Sequence, residues 1–213
     1  MCPYKLIIFD CDGVLVDSEP LAAAVISEMA AELGLNIPQE EAEQRFNGRK
    51  VGEWIKELEA AAGRPLADSF IPEFRHRSAL KFATELEAVP GVKPLLEQLP
   101  IPFCLASSGP LSKINQTLTK TELLPYFAGR IFSGYEVGAW KPDPALFLHA
   151  AAACNTPAQD CAVVEDSRVG VEAGLAAGMT VFHYQPRDQV QLPAHERLIK
   201  FTSMQTLPAL LNL

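Results

Sequence analysis

The spacing of hydrophobic positions changes character twice along this chain. Leu6 to Phe9 is an unbroken apolar run after Tyr4, which predicts a short strand covered on both faces, and Gly13 then lets the chain turn. From Ser18 to Glu87 the spacing is helical, with no convincing strand. Leu21, Val25, Ile26, Met29 and Leu33 recur on one face, with Pro20 at the helix start and Gly34 at its end. Val51, Trp54, Ile55 and Leu58 repeat the pattern before Gly63, and Ile71, Phe74 and the stretch to Leu86 predict a last helix.

After Ala88-Val89-Pro90-Gly91, short apolar runs alternate with helical segments. The runs are Ile101 to Ala106, Arg130 to Phe132, Cys161 to Val164 and Thr180 to Phe182; the helices are Leu111 to Lys120, Pro144 to Ala153 and Arg168 to Ala177. That alternation predicts an α/β fold with a parallel sheet. The first strand therefore belongs with the later ones: residues 1–17 and 88–213 form an α/β core domain, and 18–87 an inserted small helical domain. The two crossings, near Ser18 and Pro90, would form a hinge. Gln185 to Lys200 is polar, carries Pro186 and Pro193, and is expected to be loop.

A chain of 213 residues has room for one good core plus a small accessory domain. Its 48% hydrophobic and 21% charged residues are those of an ordinary globular protein, not a disordered one. The net charge of -8 is spread along the chain with no basic stripe, which argues against nucleic acid as a partner. Five cysteines without a C-x-x-C pair fit thiols in a reducing compartment. Asp10 cuts short the only N-terminal apolar run, and no stretch approaches a membrane span, so a cytoplasmic protein is expected, a monomer with a dimer as the alternative.

Chemistry concentrates at predicted strand ends. Asp10 and Asp12 emerge at the C-terminal edge of the first strand, the edge where open parallel sheets bind ligands. Ser107-Ser108-Gly109 follows the strand ending at Ala106, Trp140-Lys141-Pro142-Asp143-Pro144 precedes a helix, and Glu165-Asp166-Ser167 ends the strand from Cys161. Each has an ordinary reading alone. The serines suit a turn or helix cap, Lys141 suits a solvated surface, and the paired acids suit a helix N-terminus, worth roughly 0.3 to 1 kcal/mol.

Together these readings are strained, because converging carboxylates repel by about 4 kcal/mol per pair at about 4 Å in an effective dielectric near 20. A cation is needed, and Mg2+ suits a few carboxylates while leaving positions for water and phosphate oxygens. A lysine would offset the remaining charge, and hydroxyl and backbone N–H groups would hold phosphate oxygens. The chemistry that uses this set is phosphoryl transfer through an aspartyl phosphate. One carboxylate attacks phosphorus; the other, protonated, serves the leaving alkoxide and then accepts a proton from attacking water.

The chain resembles the haloacid dehalogenase-like hydrolase superfamily, in its β-phosphoglucomutase-like branch with a helical cap. The resemblance runs through Asp10-Cys11-Asp12-Gly13-Val14-Leu15-Val16-Asp17-Ser18, Ser107-Ser108, Lys141-Pro142-Asp143-Pro144 and Glu165-Asp166-Ser167 with Gly170 and Gly174. It implies a Rossmann-like core with the first strand central, Asp10 as nucleophile and Asp12 as general acid and base. It also implies Mg2+ held by Asp10, the Asp12 backbone carbonyl and Asp166, with Glu165 direct or through water. Ser107 and the Ser108 N–H would bind the phosphoryl group, and Lys141 would stabilise its charge. The helical insert looks like a cap that closes over the site and selects substrate. Asn47-Gly48-Arg49-Lys50 matches the cap's substrate loop, making Gly48, Arg49 and Lys50 candidates, and Arg75 and Arg77 would also be within reach; the ordinary reading of each cation is a solvated helix face.

Within the superfamily, dehalogenases and phosphonatases lack the second motif carboxylate, whereas Asp12 is present. Ala22 stands where β-phosphoglucomutases carry a cap histidine, which favours a phosphoric monoester hydrolase over a mutase. The expected partner is a small phosphorylated metabolite, a sugar phosphate or sugar-acid phosphate. The whole-chain pattern, including Phe132-Ser133-Gly134-Tyr135, also resembles bacterial 6-phosphogluconate phosphatases. A phosphoacceptor signalling module, which uses similar groups but has no large insert after its first strand, is the lesser reading.

Overall fold

The computed structural model describes residues 2–46, 51–186 and 192–213, with the side chains of 51–53 left aside. In chain order the elements are β1 (Leu6–Phe9), α1 (Glu19–Glu32), α2 (Gln39–Phe46), α3 (Val51–Ala62), α4 (Phe70–Glu85), α5 (Val92–Gln98), β2 (Phe103–Ser107) and α6 (Leu111–Lys120). They continue with β3 (Ile131–Ser133), α7 (Gly134–Val137), α8 (Ala145–Ala153), β4 (Cys161–Glu165), α9 (Arg168–Ala176), β5 (Thr180–Tyr184), β6 (Leu198–Phe201) and α10 (Leu207–Leu210). The chain divides into two compact units, residues 1–16 with 87–213, and residues 17–86.

The first unit is built on a parallel sheet of order β3-β2-β1-β4-β5-β6, so the expected α/β core with a central first strand is borne out. Every residue of β1 is buried because the sheet is covered on both faces. On one face Leu6 and Ile8 join Cys104, Val163 and Val181 beneath Leu146, Phe147 and Val171. On the other, Phe9, Phe103 and Phe127 pack edge to face, with centroids 5.4 to 6.4 Å apart. Burying such a ring contributes about 1.5–3 kcal/mol, which makes this layer a firm floor for the strand ends above it.

Residues 198–200, expected to be loop, instead belong to β6. Among the described residues this edge strand pairs only with β5, and its half-exposed pattern with Lys200 outward hides it among polar neighbours. In the second unit, α2 is also unanticipated; among its residues only Ala42 and Phe46 are buried, four apart, too few to show a period. That unit has its own core, where Trp54 meets Phe46, Phe70 and Phe74 at centroid distances of 5.2 to 6.5 Å, beside Val25, Ile26, Met29 and Leu58. No helix among the described residues is long and apolar enough to cross a membrane.

Candidate active site

Register gathers the strand-end residues of the first unit. Phe9 lies opposite Leu105 on one side and Val164 on the other, so Asp10 falls level with Glu165 at the end of β4 and one step short of Ser107 at the end of β2. The Asp10 N–H donates to the Val164 carbonyl at 3.0 Å, keeping the residue in the sheet. The chain then folds back, with the Leu15 and Val16 N–H groups donating to the Cys11 carbonyl at 2.9 and 3.1 Å. Gly13 takes φ +74° in this turn, and a Cβ there would fall 2.2 Å from Asp166 Oδ2. Only glycine combines that backbone with room for the carboxylate.

Glu165 is fully buried and held at both oxygens. Its Oε2 accepts from the Ser167 N–H at 2.7 Å and the Ser167 hydroxyl at 2.9 Å, and its Oε1 accepts from Lys141 Nζ at 2.7 Å. Lys141, also buried, donates in addition to Asp10 Oδ1 and lies 4.9 Å from the Phe147 ring centroid. The Lys141 N–H donates to the Ser108 hydroxyl at 3.3 Å, and the Lys141–Pro142 peptide is cis. Ser107 is buried at the end of β2, where its hydroxyl accepts from the Gly109 N–H at 3.1 Å. The Ser133 hydroxyl, beside Ser107 in register, donates to the Gly109 carbonyl at 2.7 Å.

Burial pushes the Asp10 carboxyl up to about 7 against the opposing pull of Lys141, with the charges of Glu165 and Asp12 adding to the rise. Burial pulls the Lys141 ammonium down, but Asp10 and Glu165 outweigh it and hold the lysine protonated. Asp10, Glu165 and Asp166 each offer one carboxylate oxygen within 4.8 Å of the others. Three hard oxygen donors so close together fit a divalent metal ion such as those bound through carboxylates. The Asp12 side chain is not among them; it accepts from Lys113 Nζ at 2.8 Å.

Lys113 and His183 escaped the sequence reading. Lys113 sits in the first turn of α6, half-exposed; burial lowers its proton affinity, and the Asp12 carboxylate more than restores it. His183, on β5 opposite Glu165, is fully buried, and its Nε2 bonds to the Asp166 carbonyl at 2.8 Å. Burial pushes its proton affinity down, and with a carbonyl as its partner Nε2 is the donor.

Residues 4–178 match the family model of the haloacid dehalogenase-like hydrolases. The chain belongs to that family. It is 37% identical over 211 residues to the 6-phosphogluconate phosphatase of Escherichia coli K12, covering 99% of this chain and 96% of that protein. It is 32% identical over 179 residues to a phosphorylated carbohydrates phosphatase of Thermotoga maritima, covering 82% of each. The crystal structure of a haloacid dehalogenase-like protein from Agrobacterium tumefaciens C58 superposes with a TM-score of 0.87 at 35% identity, covering 98% of both chains. The expected family is borne out, and both named enzymes are phosphatases, as expected for a phosphoric monoester hydrolase.

The structure thus brings Asp10, Lys141, Glu165 and Asp166 together, with Ser107 at the end of β2 and Asp12 and Ser108 on the adjoining turns. Gly48, Arg49 and Lys50 lie outside the described residues. In the helical unit Arg75 is exposed on α4, while Arg77 is engaged by Glu32 and by Glu73, the latter at 2.7 Å.

Proposed function

We propose that this chain is a Mg2+-dependent phosphatase of a small phosphorylated metabolite, working through an aspartyl phosphate on Asp10. The observation that carries the reading is the Asp10 carboxyl: buried at a strand end, contacted by the Lys141 ammonium, and with an oxygen within 4.8 Å of carboxylate oxygens of Glu165 and Asp166. A Mg2+ ion held by Asp10, the Asp12 backbone carbonyl and Asp166, with Glu165 direct or through water, would neutralise charge on the carboxylates and the phosphoryl group. One Asp10 oxygen attacks phosphorus in line, forming the acyl phosphate as the bond to the substrate's ester oxygen breaks. Asp12, in its protonated form, would give a proton to that leaving oxygen. It then takes a proton from the water that attacks the aspartyl phosphate, freeing inorganic phosphate and Asp10.

Lys141 balances charge on the phosphoryl oxygens, and the Ser107 hydroxyl with the Ser108 N–H receives them. Asp12 is kept beside the site by Lys113. The substrate class is a sugar phosphate or sugar-acid phosphate; 6-phosphogluconate leads because a relative that matches nearly end to end is named for it. Phosphate release across a panel of such esters, with Mg2+ and with EDTA, tests the reading. Turnover should require Mg2+, vanish in Asp10→Asn, and fall about 10²–10⁴-fold in Asp12→Ala with Mg2+ binding kept. Activity indifferent both to EDTA and to Asp10→Asn would sink it.

A further inference from the structure

We infer that His183 is a positioning residue for the cation site, fixing through its Nε2–H bond to the Asp166 carbonyl the point at which the Asp166 carboxylate leaves the sheet. The inference rests on the reading of Asp10, Glu165 and Asp166 as cation ligands. A carbonyl oxygen only accepts, so the 2.8 Å contact requires a proton on Nε2. Among the described residues Nδ1 has no hydrogen-bond partner, although the whole residue is buried. A buried ring nitrogen without a partner is costly, and phenylalanine or leucine would fill the same interior without that cost. What histidine adds at this position is the one N–H it uses.

The bond lies where it matters for ligand geometry. Asp10 is tied to the sheet by its own N–H and by Lys141, and Glu165 by Ser167 and Lys141. Asp166 is the first residue past β4, and the His183 ring, reaching across from the strand position that pairs with Glu165, anchors its backbone to β5. Gly13 clears the space into which that carboxylate projects. The His183 bond gives this ligand, one residue beyond the strand end, a backbone anchor from which it meets the other two oxygens.

The test is calorimetric Mg2+ titration of the full chain, stripped with EDTA, for wild type, His183→Phe, His183→Gln and Asp166→Asn. Melting of each in EDTA separates loss of fold from loss of ligand geometry. His183→Phe keeps the ring volume without the N–H and should bind Mg2+ about 10- to 100-fold more weakly. His183→Gln, whose amide can donate to the same carbonyl, should recover most of that loss whatever its melting temperature. His183→Leu takes the place of the Phe variant if that chain does not fold. Folded apolar variants that bind Mg2+ as wild type does, or a Gln variant no better than Phe, overturn the positioning role. Asp166→Asn binding Mg2+ like wild type overturns instead the ligand reading beneath it, and this inference with it.

Discussion

Lys141→Met removes an ammonium that bridges two buried carboxylates. Its Nζ contacts Asp10 and, at 2.7 Å, Glu165, and the lysine side chain is 3% exposed, so solvent cannot replace it. The remaining acids have oxygens within 4.8 Å of one another. Each charged pair near about 4 Å costs about 4 kcal/mol at a dielectric near 20, so Asp10 will take up a proton before the full repulsion is felt. Removing one partner of a buried ion pair costs about 3–5 kcal/mol. The metal-free variant should therefore lose that much stability, a melting decrease of about 6–20 °C for a chain of this size. The pH dependence has a definite sign. Asp10 binds its proton more tightly folded than unfolded, so its contribution is complete below 3.8 and is lost as pH rises to about 7. Without the ammonium its folded affinity climbs further; below about 7 Asp10 keeps its proton in both proteins, so the deficit relative to wild type should widen only as pH rises above about 7. Mg2+ should restore much of the stability by supplying positive charge, yet turnover should stay depressed because the phosphoryl oxygens still lack the ammonium. Urea denaturation in EDTA and in Mg2+, alongside phosphate release, reads all of this. A variant within about 1 kcal/mol of wild type in EDTA at neutral pH would refute the reasoning.

Two further outcomes follow from the same cluster. The Asp10 proton, retained up to about 7, must leave before the carboxylate can hold a cation, so Mg2+ affinity should rise with pH and level off above that value. Calorimetry in buffers of different ionisation enthalpy should detect the released proton, and a flat affinity from about pH 5.5 to about pH 7.5 contradicts the linkage. In Gly170→Ala the new Cβ would fall 1.8 Å from Glu165 Oε1, while Ser167 and Lys141 pin that carboxylate in place. Overpacking of this kind should cost about 1–3 kcal/mol and weaken Mg2+ binding, and wild-type melting would show that Glu165 has freedom to move.

The sheet and the cluster at its edge were legible because their cause repeats along the chain. A strand buried on both faces must be an apolar run, and in a parallel sheet every such run delivers its last residues to one edge, so Asp10, Ser107 and Glu165 were bound to meet once the runs were recognised. Edge strand β6 failed that test because it bonds on one side only and carries Lys200 outward, and α2 failed it with two buried residues. Lys113 and His183 failed for a different reason. A lysine in the first turn of a polar helix has the pattern of a solvated charge, and a histidine inside an apolar strand has the pattern of a tolerated exception. What makes each a partner is that α6 begins just after β2, next to β1, and that β5 pairs with β4 in the register that sets His183 opposite Glu165. Neither register nor adjacency leaves a period in the sequence. The two missed residues hold other groups, Asp12 and the Asp166 backbone, and the identity of a holding residue is dictated by a neighbour distant in sequence. The residues clustered at the strand ends can be read from their own motifs, whereas the residues that hold them become visible only when the strands are placed side by side.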